Sequence, residues 1–215
     1  MVNLAVEGKL AVVIGGGRVA ARKVQDLLAA GAQAMVVAPR ACHRVAALAE
    51  EKRIQLHFRS YTKADLAGAF VAVCATDDEE VNARVAGDAA SMGVLVNVVD
   101  RPALCTFTVP ATLSRGDLTL AVATEGRCPA LAGILREELD GRYGEEYAGL
   151  VDLFADLRKT MIALAWDGGR IRETLSELYR NGATGFIARG EREPLDDFLR
   201  SRLGTAFPLP TETTT

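Results

Sequence analysis

The stretch Leu10–Ala20, LAVVIGGGRVA, decides the fold of this 215-residue chain. Its first five residues form a continuous apolar run, which is typical of a β-strand buried on both faces of a sheet. Three glycines end the run, and apolar residues then recur at helical spacing through Val24 and Leu28 as far as Gly31. The stretch therefore predicts a strand, a tight glycine turn and a helix, in that order.

The segment Gly15–Ala20 fits the pattern G-x-G-x-x-A. Gly15 permits the tight turn, Gly17 lets the backbone approach a pyrophosphate, and Ala20 allows close packing of helix on strand. Free N–H groups at the helix N-terminus bind the phosphate charge. A glycine turn also forms without any ligand, but a strand before it and a helix after it favour dinucleotide binding. Gly15, Gly16 and Gly17 are the expected contact residues.

The second predicted strand ends at Ala38, Pro39 and Arg40. An acidic residue commonly holds the ribose hydroxyls at this point, and this sequence has none. Arg40 suits a 2′-phosphate or points to solvent, so this position does not decide between NAD and NADP as the cofactor.

The fourth predicted strand is followed by Ala75-Thr76-Asp77-Asp78, at the edge where ligands bind in open α/β sheets. One of these residues is expected to cap the next helix. Thr76 and Asp77 are also candidates for lining the nicotinamide side of the crevice.

Apolar runs and helical segments alternate over the first hundred residues, with further strands predicted over 34–38, 54–58, 70–75 and 94–99. Such alternation predicts a doubly wound, mostly parallel sheet of the α/β class. After Asp100 the pattern changes to a hairpin, 106–113 and 118–124, joined by a turn at 114–117. The rest is helical, from Pro129 and over 147–164, 174–179 and 195–203.

The composition and charge of the chain indicate little about specific partners, but they argue against some classes. Hydrophobic residues make up 49% and net charge is −3, which argues against nucleic acid or an anionic membrane surface as a partner. There is no bilayer-length apolar run and no signal pattern, so the cytoplasm is the expected compartment. No metal site or disulfide framework is expected, given the spacing of the two histidines and four cysteines: His43, His57, Cys42, Cys74, Cys105 and Cys128.

With these residues in view, the chain resembles the precorrin-2 dehydrogenase family, which also forms the N-terminal part of siroheme synthases. The resemblance covers about residues 9–139 well and the remainder more loosely. Five motifs occur in order: Gly15–Lys23, Val37–Pro39, Ala75–Asp78, Asn97–Pro102 with Cys105–Phe107 and Pro110–Ala111, and Gly126–Ala132.

The resemblance implies an NAD-dependent oxidation of precorrin-2 to sirohydrochlorin, on the way to sirohaem or cobalamin. Some members also insert ferrous iron, and whether this chain does so stays open. A homodimer is implied as well. By the family pattern, groups near Arg18, Val19, Pro39 and Arg40 hold the cofactor, and Asp100 is the key acid–base residue.

The position of Asp100 supplies an independent reason for that role. It follows the fifth strand at the carboxyl end of the sheet, where catalytic groups of this architecture lie. Removing a hydride from a tetrapyrrole leaves a cation that must lose a proton, and a carboxylate stabilises that charge and takes the proton. The alternative is a strand-end aspartate that organises the turn at Arg101-Pro102.

The substrate side is expected to involve Thr124, Arg127 and Cys128. Serine is common in the family at the first and last of these positions, so the sequence departs from the pattern there. Precorrin-2 carries several acetate and propionate groups, so local positive charge is expected from Arg101, Arg115, Arg127, Arg136 and Arg142.

The expected organisation is an NAD-binding Rossmann-like domain (1–112), a β-hairpin/helix dimerisation segment (113–146), a helical C-terminal domain (147–207) and a disordered tail (208–215). No methyltransferase domain is expected, so the chain is not expected to make precorrin-2. Two alternatives remain: a dehydrogenase of another small acid, and an NAD-sensing module without catalysis.

Overall fold

A computed structural model describes residues 1–210 of the chain, which form two compact units. The first unit is Met1–Val109 and the second begins at Pro110. The expected further division of the second part, at residue 147, stays a prediction. Most of the expected tail, residues 211–215, lies outside the described residues, but Leu209 packs partly buried against the helical core.

The first unit is built on a five-stranded parallel sheet, as the alternating pattern predicts. The strand order is β3-β2-β1-β4-β5, and every neighbouring pair is parallel. The strands are β1 (Leu10–Ile14), β2 (Gln33–Val37), β3 (Ile54–His57), β4 (Val71–Cys74) and β5 (Leu95–Val98).

Helices cover both faces of this sheet, which is why its strands read as continuous apolar runs. On one face, α1 (Arg18–Ala29) and α2 (His43–Glu50) pack through Val24 and Val45. On the other face, α3 (Glu79–Met92) packs through Val85. Short 3₁₀ turns occur at Lys63–Leu66 and Pro102–Leu104. The architecture is the Rossmann-like fold that the sequence predicts.

The start of the predicted hairpin is wrong. Residues 106–110 do not form the beginning of its first strand; Thr106 and Phe107 bond to β5 instead. Thr106 accounts for the difference, because its N–H donates to the Val96 carbonyl at 2.8 Å and its hydroxyl oxygen accepts the Val96 N–H at 2.7 Å. This short segment therefore satisfies backbone groups at the edge of the sheet.

The second unit begins with an antiparallel hairpin and continues with helices. The hairpin strands are β6 (Ala111–Arg115) and β7 (Leu118–Val122). Leu150, Leu157 and Leu178 are among the residues that fill the helical core. The helices are α4 (Pro129–Arg142), α5 (Glu146–Ala163), α6 (Gly168–Arg180), α7 (Ala183–Ala188) and α8 (Arg192–Leu203).

Two of these helices differ from the sequence-based expectation. α6 begins six residues before the predicted Thr174, because the Asp167 carboxylate accepts the Arg170 N–H at 3.0 Å and caps a start that contains two glycines. α7 was not predicted, since its six residues are too short to show a helical period. In the described part of the chain, none of the helices has the length and apolarity needed to cross a membrane.

Candidate active site

The strand order creates a crevice at one edge of the first unit. β1 lies in the middle of the sheet, with β2 on one side and β4 on the other. The chain therefore leaves β1 in one direction and leaves β4 in the opposite direction. In open α/β sheets, ligands bind outside the carboxyl ends of the strands at such a switch point. The glycine loop, Thr76, Asp77 and Asp100 all follow strands at this edge.

Gly15 and Gly16 occupy positions that admit no side chain. Gly15 has a φ of +120°, and a Cβ there would overlap the Ala75 carbonyl oxygen at the end of β4. A Cβ on Gly16 would overlap the Arg40 carbonyl oxygen beyond β2. The Cys42 N–H also donates to the Gly16 carbonyl at 2.7 Å. The two glycines thus bring the loops after β1, β2 and β4 into direct contact.

Gly17 differs from its neighbours, because a Cβ there would meet nothing within 4 Å. It is the N-cap residue of α1, and no side chain caps this helix. The first N–H groups of a helix have no intrahelical partner, and the helix dipole favours negative charge beside them. Arg18 and Val19 follow on the exposed side of the first turn. An open, uncapped N-terminus of this kind fits the pyrophosphate of a dinucleotide.

The structure places Pro39 and Arg40 next to the glycine loop, in the exposed turn after β2. Thr76 lies on the other side, where its backbone nitrogen is among the atoms that a Cβ on Gly15 would meet. Asp77 is exposed beside it, and Asp78 caps α3 by accepting the N–H groups of Glu80 and Val81. The expected helix cap is therefore confirmed at Asp78. The predicted cofactor residues come together around one loop cluster.

A buried polar pair beneath Thr76 escaped the sequence-based prediction. The Asn82 side chain is 5% exposed and donates to the Thr76 carbonyl at 3.1 Å. Its oxygen accepts the Cys74 thiol at 3.0 Å. Burial raises the pKa of Cys74 to about 12, so this thiol keeps the proton that it donates. Asn82 thus fixes the backbone at the end of β4. The only signal for this contact in the sequence is that Asn82 lies four residues after the helix cap Asp78.

Asp100 lies in a turn directly after β5 and is exposed. Its φ is +58°, a left-handed conformation in which aspartate is several-fold enriched over most other non-glycine residues. The Arg101 N–H donates to the Val98 carbonyl at 3.2 Å and closes the turn. This turn leads from the end of β5 into the 3₁₀ turn at Pro102–Leu104.

Cys105 and Asn97 brace the turn that carries Asp100. The Cys105 sulfur accepts the Val98 N–H at 3.1 Å and lies 3.2 Å from the Val98 carbonyl and 3.4 Å from the Arg101 carbonyl. Asn97 is 9% exposed and donates to the Phe107 carbonyl at 3.1 Å. The residues on both sides of Asp100 are therefore tied to one side chain. Both bracing residues fall within the quoted motifs, but their role becomes visible only in the structure.

The three candidate substrate residues form a short turn before α4, in the second unit. The Thr124 hydroxyl oxygen accepts the Cys128 N–H at 3.2 Å, and the Thr124 carbonyl accepts the Arg127 N–H at 2.9 Å. Arg127 and Cys128 are exposed. The structure thus groups these three residues with one another, while Asp100 and the glycine loop belong to the first unit.

Several arginines that were expected to supply free positive charge are paired. Arg115 bonds Asp140 at 2.5 Å and the Tyr143 carbonyl at 3.0 Å, so it links the hairpin to the end of α4. Its hydrogen bond holds the pKa of Asp140 below the usual range. Arg136 also approaches Asp140, at 3.7 Å, and Arg101 pairs with Glu79. Nearby carboxylates thus partly offset the charge of these three arginines, and their contribution to positive potential around the cleft stays a prediction.

Across residues 1–210, no three His, Cys, Asp or Glu side chains are grouped so that they could hold a metal ion.

Comparisons with known proteins agree with this geometry. The family model described as "Putative NAD(P)-binding" matches residues 2–111. A siroheme synthase of Ectopseudomonas mendocina (strain ymp) is 35% identical over 202 residues, which is 94% of this chain and 43% of that protein. A siroheme synthase of Pseudomonas putida (strain W619) is 41% identical over 158 residues, 74% of this chain and 34% of that protein. The chain spans less than half the length of these curated relatives.

A solved structure titled "SirC, precorrin-2 dehydrogenase" superposes with a TM-score of 0.71 at 26% identity, covering 92% of this chain and 98% of that one. The fold and the glycine loop define a nucleotide-binding protein of the Rossmann-like class. The chain belongs to the NAD(P)-binding family whose model it matches, and its cofactor is a nicotinamide dinucleotide.

The contrast between two glycines gives a test of the loop. Gly15→Ala is expected to lower the free energy of unfolding by about 2 kcal/mol or more, because the methyl group meets backbone at a strained φ. Gly17→Ala is expected to cost less than about 1 kcal/mol, because its space is open. It is nevertheless expected to weaken NAD binding, since the methyl group enters the pyrophosphate approach. Urea denaturation and calorimetric titration with NAD measure both effects. Unchanged NAD affinity in Gly17→Ala would contradict the assigned pyrophosphate position.

Proposed function

We propose that this protein oxidises precorrin-2 to sirohydrochlorin with NAD as the oxidant. The observation that carries the proposal is the placement of the open glycine cradle and of Asp100 on the same edge of one parallel sheet. The relatives named siroheme synthase and the precorrin-2 dehydrogenase structure supply the substrate class. Oxidation converts precorrin-2 and NAD into sirohydrochlorin, NADH and a proton.

The chain's own residues would contribute binding and proton transfer. The uncapped first turn of α1, at Gly17, Arg18 and Val19, binds the pyrophosphate through backbone N–H groups. Pro39 and Arg40 flank the adenosine side, and Thr76 and Asp77 the nicotinamide side. When bound, the oxidised nicotinamide supplies the hydride acceptor.

Asp100 would act on the substrate itself. Loss of a hydride leaves positive charge on the tetrapyrrole, and an exposed carboxylate beside it stabilises that charge. The same carboxylate then accepts the proton whose loss gives the conjugated product. The brace from Cys105 serves this role, because it fixes the backbone on both sides of Asp100. Thr124, Arg127 and Cys128 are proposed to contact the substrate's carboxylates and ring edge.

Two finer assignments belong to the same proposal. NAD rather than NADP is proposed as the cofactor, with Arg40 directed to solvent rather than bound to a 2′-phosphate. Ferrous iron is proposed as a second substrate, inserted after Asp100 removes protons from the pyrrole nitrogens.

The direct test is anaerobic incubation of the purified protein with precorrin-2 and either NAD or NADP, following the visible spectrum and the absorbance of the reduced nicotinamide. Equal amounts of sirohydrochlorin and NADH are expected, with NAD preferred. Asp100→Ala is expected to lower kcat by about 10²-fold or more while keeping NAD affinity, because it removes the base and leaves the cradle intact. Fe²⁺ added afterwards is expected to convert the product to sirohaem.

The controls separate the alternatives. Asp77→Ala, a change of equal charge at the same sheet edge, is expected to keep far more of kcat than Asp100→Ala. NAD binding without turnover would contradict the enzymatic proposal and favour the sensing module. Faster turnover with NADP, abolished by Arg40→Gln, would overturn the choice of NAD.

A homodimer is the proposed assembly, and α4 is its proposed contact. Three apolar side chains on this helix are exposed: Leu131 by 45%, Ile134 by 61% and Leu135 by 38%. A contiguous exposed apolar face of this kind marks an interaction surface.

Sedimentation velocity tests the assembly. The unmodified protein is expected to sediment as a dimer, and Ile134→Asp as a monomer, because a buried unpaired carboxylate opposes association. Glu138→Gln on the same helix serves as the control and is expected to remain dimeric. A monomeric unmodified protein would contradict the proposal.

A further inference from the structure

A groove runs along the hairpin of α5 and α6, within the second unit. Its cavity volume is about 590 Å³, in the range of small-molecule sites. No part of the mechanism proposed above uses it. The apolar part of its lining comes from both helices and from the loop between them: Phe154, Ile162, Trp166, Ile171 and Leu175.

Helical spacing explains why these side chains share a groove. Phe154, Arg158 and Ile162 follow one another at four-residue steps and form one stripe of α5. The core side of the same helix is a different stripe, which includes Leu153 and Leu157. Phe154 packs partly buried against the helical core, whereas Ile162, at the other end of the stripe, is 49% exposed. The groove therefore lies along the margin of the helical core, which covers its apolar lining only in part.

Two arginines, one from each helix, give the groove positive charge. Arg158 and Arg172 both line it, and within residues 1–210 neither makes an ion pair. Two neighbouring acids are engaged elsewhere, since Asp156 pairs with Lys159 at 3.0 Å and Asp167 caps α6, while Glu173 and Glu177 are exposed on α6. These arginines thus differ from Arg115, which forms an ion pair with Asp140. Guanidinium groups of this kind bind carboxylates through paired hydrogen bonds.

Trp166 gives the groove a rigid aromatic wall. The Arg170 guanidinium lies 3.7 Å from the centre of its ring, and Phe207 packs against it edge-on at 5.9 Å. The indole is thereby held from two sides and needs little ordering when a flat ligand binds. Ser176 adds a hydroxyl group to the lining.

We propose that this groove is a second tetrapyrrole site, which binds a flat polycarboxylate ring through Arg158 and Arg172 with its face on the apolar floor. The occupant is argued from charge complementarity: two unpaired cations beside aromatic and aliphatic surface match a ring that carries acetate and propionate groups. Naming the ring a tetrapyrrole rests on the proposed function. The site holds substrate or product on the helical unit, apart from the chemistry assigned to Asp100.

The test uses the full-length protein and uroporphyrin I, a tetrapyrrole with eight carboxylates, in calorimetric titrations. The unmodified protein is expected to bind it, and the Arg158→Gln/Arg172→Gln variant is expected to bind at least about tenfold more weakly, because charge-assisted hydrogen bonds are lost. Arg53→Gln/Arg180→Gln removes the same charge from exposed positions outside the groove and is expected to retain the affinity. Asp100→Asn is expected to retain it too.

Further measurements keep the outcomes distinct. Arg158→Lys/Arg172→Lys preserves the charge and is expected to bind uroporphyrin with intermediate affinity. This variant replaces the glutamine variant in the test if circular dichroism shows that the glutamine variant folds poorly. Undiminished uroporphyrin binding in both groove variants would overturn the site, even where precorrin-2 turnover proceeds normally. Groove variants that change the sedimentation coefficient and leave uroporphyrin affinity intact would make the groove an interface between copies, and would also overturn it. Weakened binding in the groove variants, together with no precorrin-2 turnover by the unmodified protein, would retain the carboxylate site and refute the reaction.

Discussion

Two backbone carbonyl oxygens leave no room for side chains where the first strand ends. One belongs to Ala75 and faces Gly15; the other belongs to Arg40 and faces Gly16. This close contact joins the loops that follow the three central strands, so the start of α1 is fixed against the rest of the sheet edge. The open helix N-terminus at Gly17 exists because its two neighbours pack so tightly. The cofactor part of the candidate site, in the first unit, is assembled around that constraint.

The sheet of the first unit could be predicted from the sequence because its signals are local. Continuous apolar runs such as 10–14 and 70–75 indicate strands covered on both faces, and the glycine turn fixes the connection between strand and helix. Errors arose where a tertiary contact replaced local preference. Thr106 looked like the beginning of a strand, but its hydroxyl group pairs with Val96 at the sheet edge instead. The early start of α6 has a different cause, because the cap at Asp167 is a local contact that allows the helix to begin at two glycines.

The site was predictable at the level of strand ends and unpredictable at the level of hydrogen bonds. The position of Asp100 follows from the end of β5, but its positive φ and the brace from Cys105 depend on how residues 97–107 fold back on the strand. The buried hydrogen bond from Asn82 to the Thr76 carbonyl also becomes visible only in the structure. The ion pair of Arg115 could not be predicted either, because its partner Asp140 lies 25 residues away and no local sequence pattern indicates the pair.

The central claim is that one sheet edge holds both the cofactor and the residue that takes the substrate's proton. A crystal structure of the protein with NAD bound tests it most directly. The account predicts the pyrophosphate against the backbone N–H groups of Gly17, Arg18 and Val19, with the nicotinamide ring beside Thr76 and on the side of the crevice that carries Asp100. A dinucleotide bound away from the glycine loop, or a nicotinamide ring directed away from Asp100, would contradict it.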